Sequence, residues 1–474
     1  MLSTFNKKII LILIISAGVL FRVYNVSFDD LWYDEIISFW VANPNFTYNQ
    51  TNVFHSQIED APIFYNLILK TYFQIFGYSV FNGRFFSTFF GILSILSIIY
   101  LDKKLNKKNN SYLFSAFLIS FNIYLIGYSQ EIRNYSLFFF ITTLSLIFFI
   151  KIIEDKKNIK LLLIFSTILL FNVLLHPFGL VIFFSLAFYL FLEFIIKKNF
   201  SFSILSAFVT IFILSVFFYY QLFSITTNAE ADYYWFMENP SLSFYTNFHF
   251  SKYFGSRLVG GIFLITLIYL ISKNFKKIIE INHYTLFLIL IIFSYLIPIL
   301  HGYLFNPIFL PRYTMWNLIP IILLFSGLTF NFEKKKQKFI IIFILSFITI
   351  GNHFTEQTIK QFYQMRTPSK PEYSKAVKFI SKSNTKNYAV KIENLKNNEA
   401  SLNAIKNYIQ HLNKDLILVE IDNKNQKKIK FWFLCPLDIN TTNCALPKNI
   451  KKKFKSLEQK QFNSIVLNLV EIDK

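Results

Sequence analysis

A short aromatic segment near the N-terminus contains four carboxylates. It reads FRVYNVSFDDLWYDEIISFWVANP over 21–44 and has no lysine, and its one arginine is at the second position. Asp29 and Asp30 form one acidic pair, and Asp34 and Glu35, directly after a tryptophan and a tyrosine, form another. A carboxylate at the edge of an apolar, aromatic environment can have a raised pKa and act as a general base. The alternative is a solvated acidic loop beside an interfacial aromatic belt.

The composition indicates the class of protein that contains this segment. Of 474 residues, 54% are hydrophobic and only 16% are charged, with a mean hydropathy of +0.43. A typical soluble domain has about 25% charged residues. Disorder is excluded as well, because it requires low hydrophobicity. The class that remains is a multi-span membrane protein.

Eleven apolar runs are long enough to be membrane-spanning helices. The first has no clear signal-peptidase site after it and is interpreted as an uncleaved span. The apolar segment 61–76 follows acidic residues and is predicted to be a helix in the membrane interface. The eleven predicted spans are 9–24, 82–101, 111–127, 135–150, 161–175, 177–195, 201–222, 257–272, 284–302, 313–331 and 339–355.

The lysines predict the orientation of these spans. They occur in alternate connections, around 7–8, 103–108, 151–160, 197–198, 273–277 and 334–338. The positive-inside rule places these connections in the cytoplasm. The intervening connections, which include the acidic segment, and the chain after about 356 are then extracytoplasmic. The net charge of +21 is explained largely in this way, so no nucleic-acid partner is predicted.

The sequence changes character near residue 356, which predicts two domains, 1–355 in the membrane and 356–474 outside it. Strand-like runs occur at 387–392, 416–421, 429–435 and 463–471, and helix-like patterns at 372–383 and 399–412. The fold class predicted is an all-α polytopic membrane protein with a small C-terminal extracytoplasmic α/β domain. Cys435 and Cys444 form a disulfide in an oxidising compartment, or stay as two thiols.

Several motifs in order along the chain resemble those of polytopic glycosyltransferases of the GT-C fold. The resemblance is strongest to the group of dolichyl-phosphate-mannose protein mannosyltransferases and lipid A aminoarabinose transferases, including bacterial members. It covers roughly residues 5–350, and the segment after Glu59 departs from the His-Pro-Pro of many relatives. The motifs are LWYDE at 31–35, the segment 55–91 that begins HSQIEDAPIFYN, YSQEIRNYSL at 128–137, HPFG at 176–179 and PRYTMWNLIP at 311–320.

The resemblance implies a polyprenyl-phosphate sugar donor and, in the first extracytoplasmic loop, an acidic residue that is needed for catalysis. Asp34 and Glu35 match the acidic pair of that loop, and Asp34 is the better candidate. Arginine can bind phosphate oxygens through its forked donors. Arg133 and Arg312 are therefore the leading donor-phosphate candidates. The alternative for each is an ion pair with a nearby carboxylate, such as Glu131 beside Arg133.

Two weaker sets of candidates complete the predicted site. Lys252 and Arg257 follow the long aromatic loop after 222 and are second choices for the phosphate. Some members of the resembled group bind metal ions, so Glu59 with His176 or His249 is a candidate divalent-metal site. A histidine at a helix end is more often a hydrogen-bonded structural residue, and no other cofactor is predicted.

The sequence thus predicts an inverting glycosyltransferase of the bacterial inner membrane. Its predicted partners are the polyprenyl-phosphate sugar, membrane lipid and an unidentified extracytoplasmic lipid, glycan or protein acceptor. One alternative is a lipid-pyrophosphate glycan polymerase or ligase. Another is a lipid or polysaccharide transporter, although a transporter is expected to place charges near mid-membrane.

Overall fold

The computed structural model describes most of the chain in two compact units. The first unit comprises 1–24, 60–65 and 85–365, and the second comprises 25–59, 66–84 and 366–474. The predicted domain boundary near 356 stays a prediction, and the second unit includes two segments from the N-terminal part. The described residues are 4–59, 61–107, 109–198, 201–226, 250–305, 308–355, 369–383, 389–392, 399–418, 428–437 and 454–473.

The first unit is helical, and each of the eleven predicted apolar runs forms a helix or a bent helix. The single helices are α1 (Thr4–Val23), α5 (Val80–Leu105), α8 (Tyr135–Glu154), α9 (Ile159–Leu175), α10 (Phe178–Lys197), α11 (Phe202–Thr226), α12 (Arg257–Lys273), α14 (His283–Leu304) and α16 (Lys335–Thr355). A short α13 (Phe275–Ile279) precedes α14, and a 3-10 turn (Met315–Asn317) leads into α15 (Leu318–Phe330).

The predicted span 111–127 is broken rather than straight. Its two parts, α6 (Ser111–Phe121) and α7 (Ile123–Ser129), meet at an angle of 56°. Asn122 caps α7, because its side chain accepts a hydrogen bond from the Leu125 amide at 2.9 Å. Such a break leaves carbonyl groups at the end of α6 without helical partners.

Side chains from other helices contact those carbonyls. The buried Arg22 guanidinium donates to the carbonyls of Ile119 and Ser120 at 2.9 and 3.1 Å. His353 Nε2 lies 2.6 Å from the carbonyl of Phe121. These contacts stabilise the break, because irregular backbone at membrane depth requires hydrogen-bond partners within the protein.

Six described helices are long and apolar enough to cross a membrane, namely α5, α8, α10, α11, α14 and α16. The bent pair α6–α7 would make a seventh, and α9 and the helical segment 315–330 are apolar but shorter. The protein is therefore a polytopic helical membrane protein, as predicted. The count of eleven crossings stays a prediction for the helices outside these seven.

The second unit combines short helices with a four-stranded mixed sheet. Its helices are α2 (Tyr33–Val41), α3 (Tyr48–Ser56), most of α4 (Phe64–Phe76), α17 (Tyr373–Lys382) and α18 (Glu399–Leu412). The strands β1 (Ala389–Ile392), β2 (Lys428–Pro436), β3 (Phe454–Phe462) and β4 (Ile465–Asp473) lie in the order β1-β2-β4-β3. Among the strands described, β1 and β2 are parallel and the other two pairs are antiparallel.

Strand β2 is one of the two inner strands of this sheet, and its residues 431–435 are buried on both faces. Phe431, Phe433 and Cys435 pack with Val470 of β4 on one face, and Phe379 of α17 contacts Trp432 on the other. Cys435 is disulfide-bonded, and the other cysteine, Cys444, lies outside the described residues. The small C-terminal α/β fold predicted from the sequence is confirmed.

Candidate functional site

The acidic segment of the second unit places its second carboxylate pair at a helix start. Trp32 has extended backbone angles, and α2 begins at the next residue. Asp34 and Glu35 therefore lie in the first turn of α2, where the helix dipole favours negative charge. Their environments differ, because Asp34 is partly exposed whereas Glu35 is 0% exposed.

Glu35 is enclosed by two cations. The Arg84 guanidinium donates to both carboxylate oxygens at 2.9 Å, and Lys370 Nζ donates to Oε2 at 2.7 Å. Burial alone would raise the pKa of Glu35, but the charges of Arg84 and Lys370 outweigh it and lower the pKa from 4.5 to about 2. This shift is opposite to the raised pKa that the aromatic surroundings suggested, because the sequence did not reveal the two cations.

The first carboxylate pair contacts the chain at residues 369–374. Asp29 accepts hydrogen bonds from the Ser369 amide and hydroxyl at 3.2 and 3.0 Å. Asp30 accepts one from the Ser374 amide at 2.7 Å. Burial raises the pKa of Asp30, opposed by its hydrogen bonds to Ser374 and by the charge of Arg84. Three of the four carboxylates are therefore bonded to one short C-terminal segment.

Sequence reasoning assigned no role to Arg84 or Lys370. Besides Glu35, Arg84 donates to the carbonyls of Val26, Asp29 and Asp30 at 3.0, 2.6 and 3.0 Å. The signal in the sequence for Arg84 was a single arginine near the start of the apolar run 82–101. Nothing marked Lys370 among the 22 lysines and arginines after residue 355.

In the first unit, helix-end contacts position the loop that contains Arg133. The Gln130 side-chain amide donates to carbonyls at the end of α1, including that of Tyr24 at 3.1 Å. The Ser87 hydroxyl donates to the carbonyl of Arg133 at 3.3 Å. Asn134 donates to the carbonyl of Leu175, the last residue of α9, at 3.2 Å. These contacts fix the start of α8 against α1, α5 and α9.

Aromatic contacts bring Arg133, His176 and Arg312 to one place in that unit. The rings of Tyr135 and Tyr313 have centroids 6.5 Å apart, and the His176 ring lies 6.4 and 5.3 Å from them. The Arg133 guanidinium lies 5.9 Å from the Tyr135 ring, and that of Arg312 lies 5.4 Å from the Tyr313 ring. We call these five residues the tyrosine cluster. Two guanidinium groups on aromatic faces suit an anionic group attached to a flat or apolar body.

The second-choice cations lie in a segment tied to the same region. Lys252, in a helical turn at 250–254, and Arg257, the first residue of α12, are both exposed. Between them, the buried Tyr253 hydroxyl contacts the carbonyl and hydroxyl of Thr314 at 2.7 and 2.6 Å. Asn122 donates to the carbonyl of Tyr253 at 2.9 Å. The backbone of this segment is thus fixed, while its two cations face outward from it.

Two of the three candidate metal ligands, Glu59 and His176, lie among the described residues. Glu59 Oε2 lies 3.7 Å from Nδ1 of the buried His55. His176 Nδ1 accepts a hydrogen bond from the Phe178 amide at 3.1 Å, so only its Nε2 could bind a metal. His249 lies outside the described residues. Within the described part of the chain, no three His, Cys, Asp or Glu side chains are grouped to hold a metal ion, and the metal site stays a prediction.

The fold is similar to that of ArnT from Cupriavidus metallidurans, crystallised bound to undecaprenyl phosphate. The TM-score is 0.56 over 97% of both chains, with 8% sequence identity, and the structure of its apo state gives the same values. The Archaeoglobus fulgidus oligosaccharyltransferase, crystallised with zinc and sulfate, matches 90% of this chain and 68% of its own at 12% identity, with a TM-score of 0.46. The likeness to ArnT establishes that the fold is the predicted GT-C fold.

Sequence comparisons do not assign the chain to a family. No protein-family model matches the sequence. No curated protein is significantly similar to it in sequence.

Proposed function

We propose that this protein is a membrane glycosyltransferase that moves a sugar from a polyprenyl-phosphate donor to an extracytoplasmic acceptor. The observation that carries the proposal is the fold, which is similar over 97% of both chains to a structure with undecaprenyl phosphate bound. The acidic first turn of α2 and the tyrosine cluster supply the two kinds of group that such a transfer requires. These are a proton acceptor and cations for a phosphate.

Asp34 is the proposed proton acceptor, and Glu35 is not. A general base must reach its substrate and exchange a proton with it. Glu35 is fully buried and bonded to two cations, which hold its pKa low. Asp34 is partly exposed in the same helical turn. The adjacent residue pair thus divides into a fixed structural anion and an accessible carboxylate.

The proposed reaction is a single displacement with inversion at the anomeric carbon. Asp34 accepts the proton of the acceptor hydroxyl or amine as the new bond to the anomeric carbon forms. The bond between that carbon and the phosphate oxygen breaks, and polyprenyl phosphate leaves with the bonding electrons. Arg133 and Arg312 stabilise the negative charge that develops on the phosphate, with Lys252 and Arg257 as auxiliary cations.

The location follows from the same proposal. A polytopic chain with this lysine distribution fits a bacterial inner membrane, with α2 and the C-terminal α/β fold on the extracytoplasmic side. Nucleotide sugars are cytosolic, so a lipid-linked donor fits that side of the membrane. The excess of positive charge after residue 355 suits an anionic acceptor or anionic lipid headgroups.

The test uses purified protein in detergent with a panel of radiolabelled polyprenyl-phosphate sugars. Label leaving the lipid is measured with and without a membrane extract as the source of acceptor. We expect Asp34→Asn to lower turnover by about 10²–10⁴-fold, the usual contribution of a general base. Asp415→Asn makes the same chemical change at an exposed position and should leave turnover unchanged.

Two results would contradict the proposal. Full activity of Asp34→Asn would remove the assigned base. Absence of release from every donor, with folded protein, would favour a lipid-pyrophosphate polymerase or ligase, or else a transporter. Assays with lipid-pyrophosphate glycans would then distinguish those alternatives.

A further inference from the structure

The segment 369–374 of the second unit makes an unusual set of contacts for a stretch of irregular chain. It runs into the first turn of α17 and bonds to Asp29, Asp30 and Glu35 through Ser369, Ser374 and Lys370. These contacts join residues that are at least 335 positions apart in the chain. They therefore depend on the tertiary structure of the unit and not on local sequence.

Lys370 supplies the ionic contact of this set. Its side chain is 17% exposed, its ammonium group lies 2.7 Å from Glu35 Oε2, and it lies 5.9 Å from the Trp32 ring. Arg84 donates to both oxygens of the same carboxylate. A fully buried carboxylate with two cationic partners has little freedom to move, because a shift away from either cation would cost a buried ion pair.

The residues around Asp34 are tied to the C-terminal part of the same unit. The Leu31 amide donates to the Tyr408 hydroxyl at 3.2 Å, and the Tyr33 hydroxyl lies 2.5 Å from that of Ser401. Asp34 thus stands between Tyr33, bonded to α18, and Glu35, bonded to Lys370. The direction in which the first turn of α2 presents Asp34 is set by these anchors.

We propose that Lys370 is a positioning residue that acts on Asp34 through Glu35. The proposal rests on the proposed function, since it assigns to the C-terminal segment a part in the reaction assigned to Asp34. The ammonium group holds the Glu35 carboxylate in place, and Glu35 holds the first turn of α2. Loss of the ammonium group should misplace the base without removing any contact to the donor lipid.

The test compares steady-state kinetics of Lys370→Met and Lys370→Arg with a control. We expect Lys370→Met to lower kcat at least tenfold while KM for the donor stays within twofold, and Lys370→Arg to recover most of the loss. Lys375→Met removes a lysine with 60% side-chain exposure that pairs with Glu372 and should change neither constant. If Lys370→Met acted through a general structural defect instead, the amount of folded enzyme would fall and Lys370→Arg would not recover kcat.

A double mutant tests whether the effect passes through Glu35. If it does, Lys370→Met added to Glu35→Gln should cause less than a twofold further loss of kcat. Independent, multiplicative losses would overturn the proposal, as would an unchanged kcat in Lys370→Met. A rise in KM with kcat unchanged would make Lys370 a substrate-binding residue instead. If Lys370→Met does not fold, the neutral, hydrogen-bonding Lys370→Gln decides by the same criteria.

The two proposals fail in different ways. If wild-type protein transfers sugar, Asp34→Asn does not and Lys370→Met is fully active, only the role of Lys370 is wrong. If wild-type and Asp34→Asn proteins are equally inactive with every polyprenyl-phosphate donor, the function itself is wrong, and the role of Lys370 falls with it.

Discussion

Glu35 illustrates how a buried ion pair depends on pH at the scale of a single residue. The carboxyl has a lower pKa in the folded protein than in the unfolded chain, because Arg84 and Lys370 stabilise its charge against the cost of burial. Folding therefore favours the ionised form. The stabilisation is fully present above about pH 4.5 and is lost as the pH falls towards 2.

We expect this loss to appear in thermal unfolding in detergent between pH 6 and pH 3. Because the pKa of Glu35 is lowered in the folded protein, protonation of this carboxyl destabilises the fold. Glu35→Gln should unfold at a lower temperature at pH 6 and show a smaller decline on acidification than wild type. Glu154→Gln changes a carboxylate with 54% side-chain exposure and should keep the decline. Parallel curves for wild type and Glu35→Gln would contradict the assignment.

The tyrosine cluster gives a second prediction for single residues. Arg133→Gln and Arg312→Gln should each lower kcat by about 10²–10³-fold, the usual effect of removing one donor that stabilises developing charge. Lysine replacements should recover little, because an ammonium group lacks the planar fork of arginine. The exposed Lys252 and Arg257 serve as comparisons, and their glutamine variants should lose less than tenfold. Equal losses at all four positions would indicate a general electrostatic effect instead.

At the scale of elements, the hydropathy pattern predicted the helices well and missed features that depend on tertiary contacts. All eleven apolar runs are helical, because burial in lipid or protein requires internal hydrogen bonds. The break at Asn122 was not predicted, since it depends on Arg22 and His353 from other helices. Strand β3 was missed because its residues are polar and largely exposed at the sheet edge, where hydrophobic alternation is weak.

The first turn of α10, where the chain passes close to α9, gives a prediction at the same scale. A Cβ on Gly179 would lie 2.6 Å from the Asn172 carbonyl oxygen and the Val173 Cα, and backbone atoms cannot move aside cheaply. Gly179→Ala should therefore destabilise the protein by about 1–3 kcal/mol and lower its unfolding temperature. Gly261→Ala, in α12 with nothing within 4 Å, should be neutral or slightly stabilising. Equal unfolding temperatures of wild type and Gly179→Ala would show that the chain can accommodate a Cβ at residue 179.

At the scale of the whole molecule, the sequence predicted the fold class and the acidic pair but not the composition of the second unit. Asp34 and Glu35 were identifiable from their neighbours, whereas the different roles proposed for them depend on Arg84 and Lys370. Tyr135 and Tyr313 stand beside predicted arginines, yet only the packing of α8, α10 and the segment before α15 groups them. Contacts between distant parts of a chain leave no pattern in a single sequence.

The predicted orientation can be tested with an impermeant maleimide on intact cells. Cysteine in place of the exposed Lys414 should be labelled, because the C-terminal fold is expected outside the cytoplasm. Cysteine in place of the exposed Lys157 should react only after permeabilisation. The unmodified chain is the control for the native cysteines, of which Cys435 is fully buried. The opposite labelling pattern would reverse the topology.

The separation of Glu35 from Lys370 has a consequence for biosynthesis. The ribosome must add 335 residues after Glu35 before it reaches its second cation, which takes roughly half a minute at about 5–20 residues per second. Helices α5 to α16 are all synthesised in that interval. A nascent chain that stalls or is cut within it contains Asp34 but lacks the segment that holds the acidic turn. Completion of translation is thus coupled to completion of the acidic loop, and under the proposed function an unfinished chain would lack a positioned base.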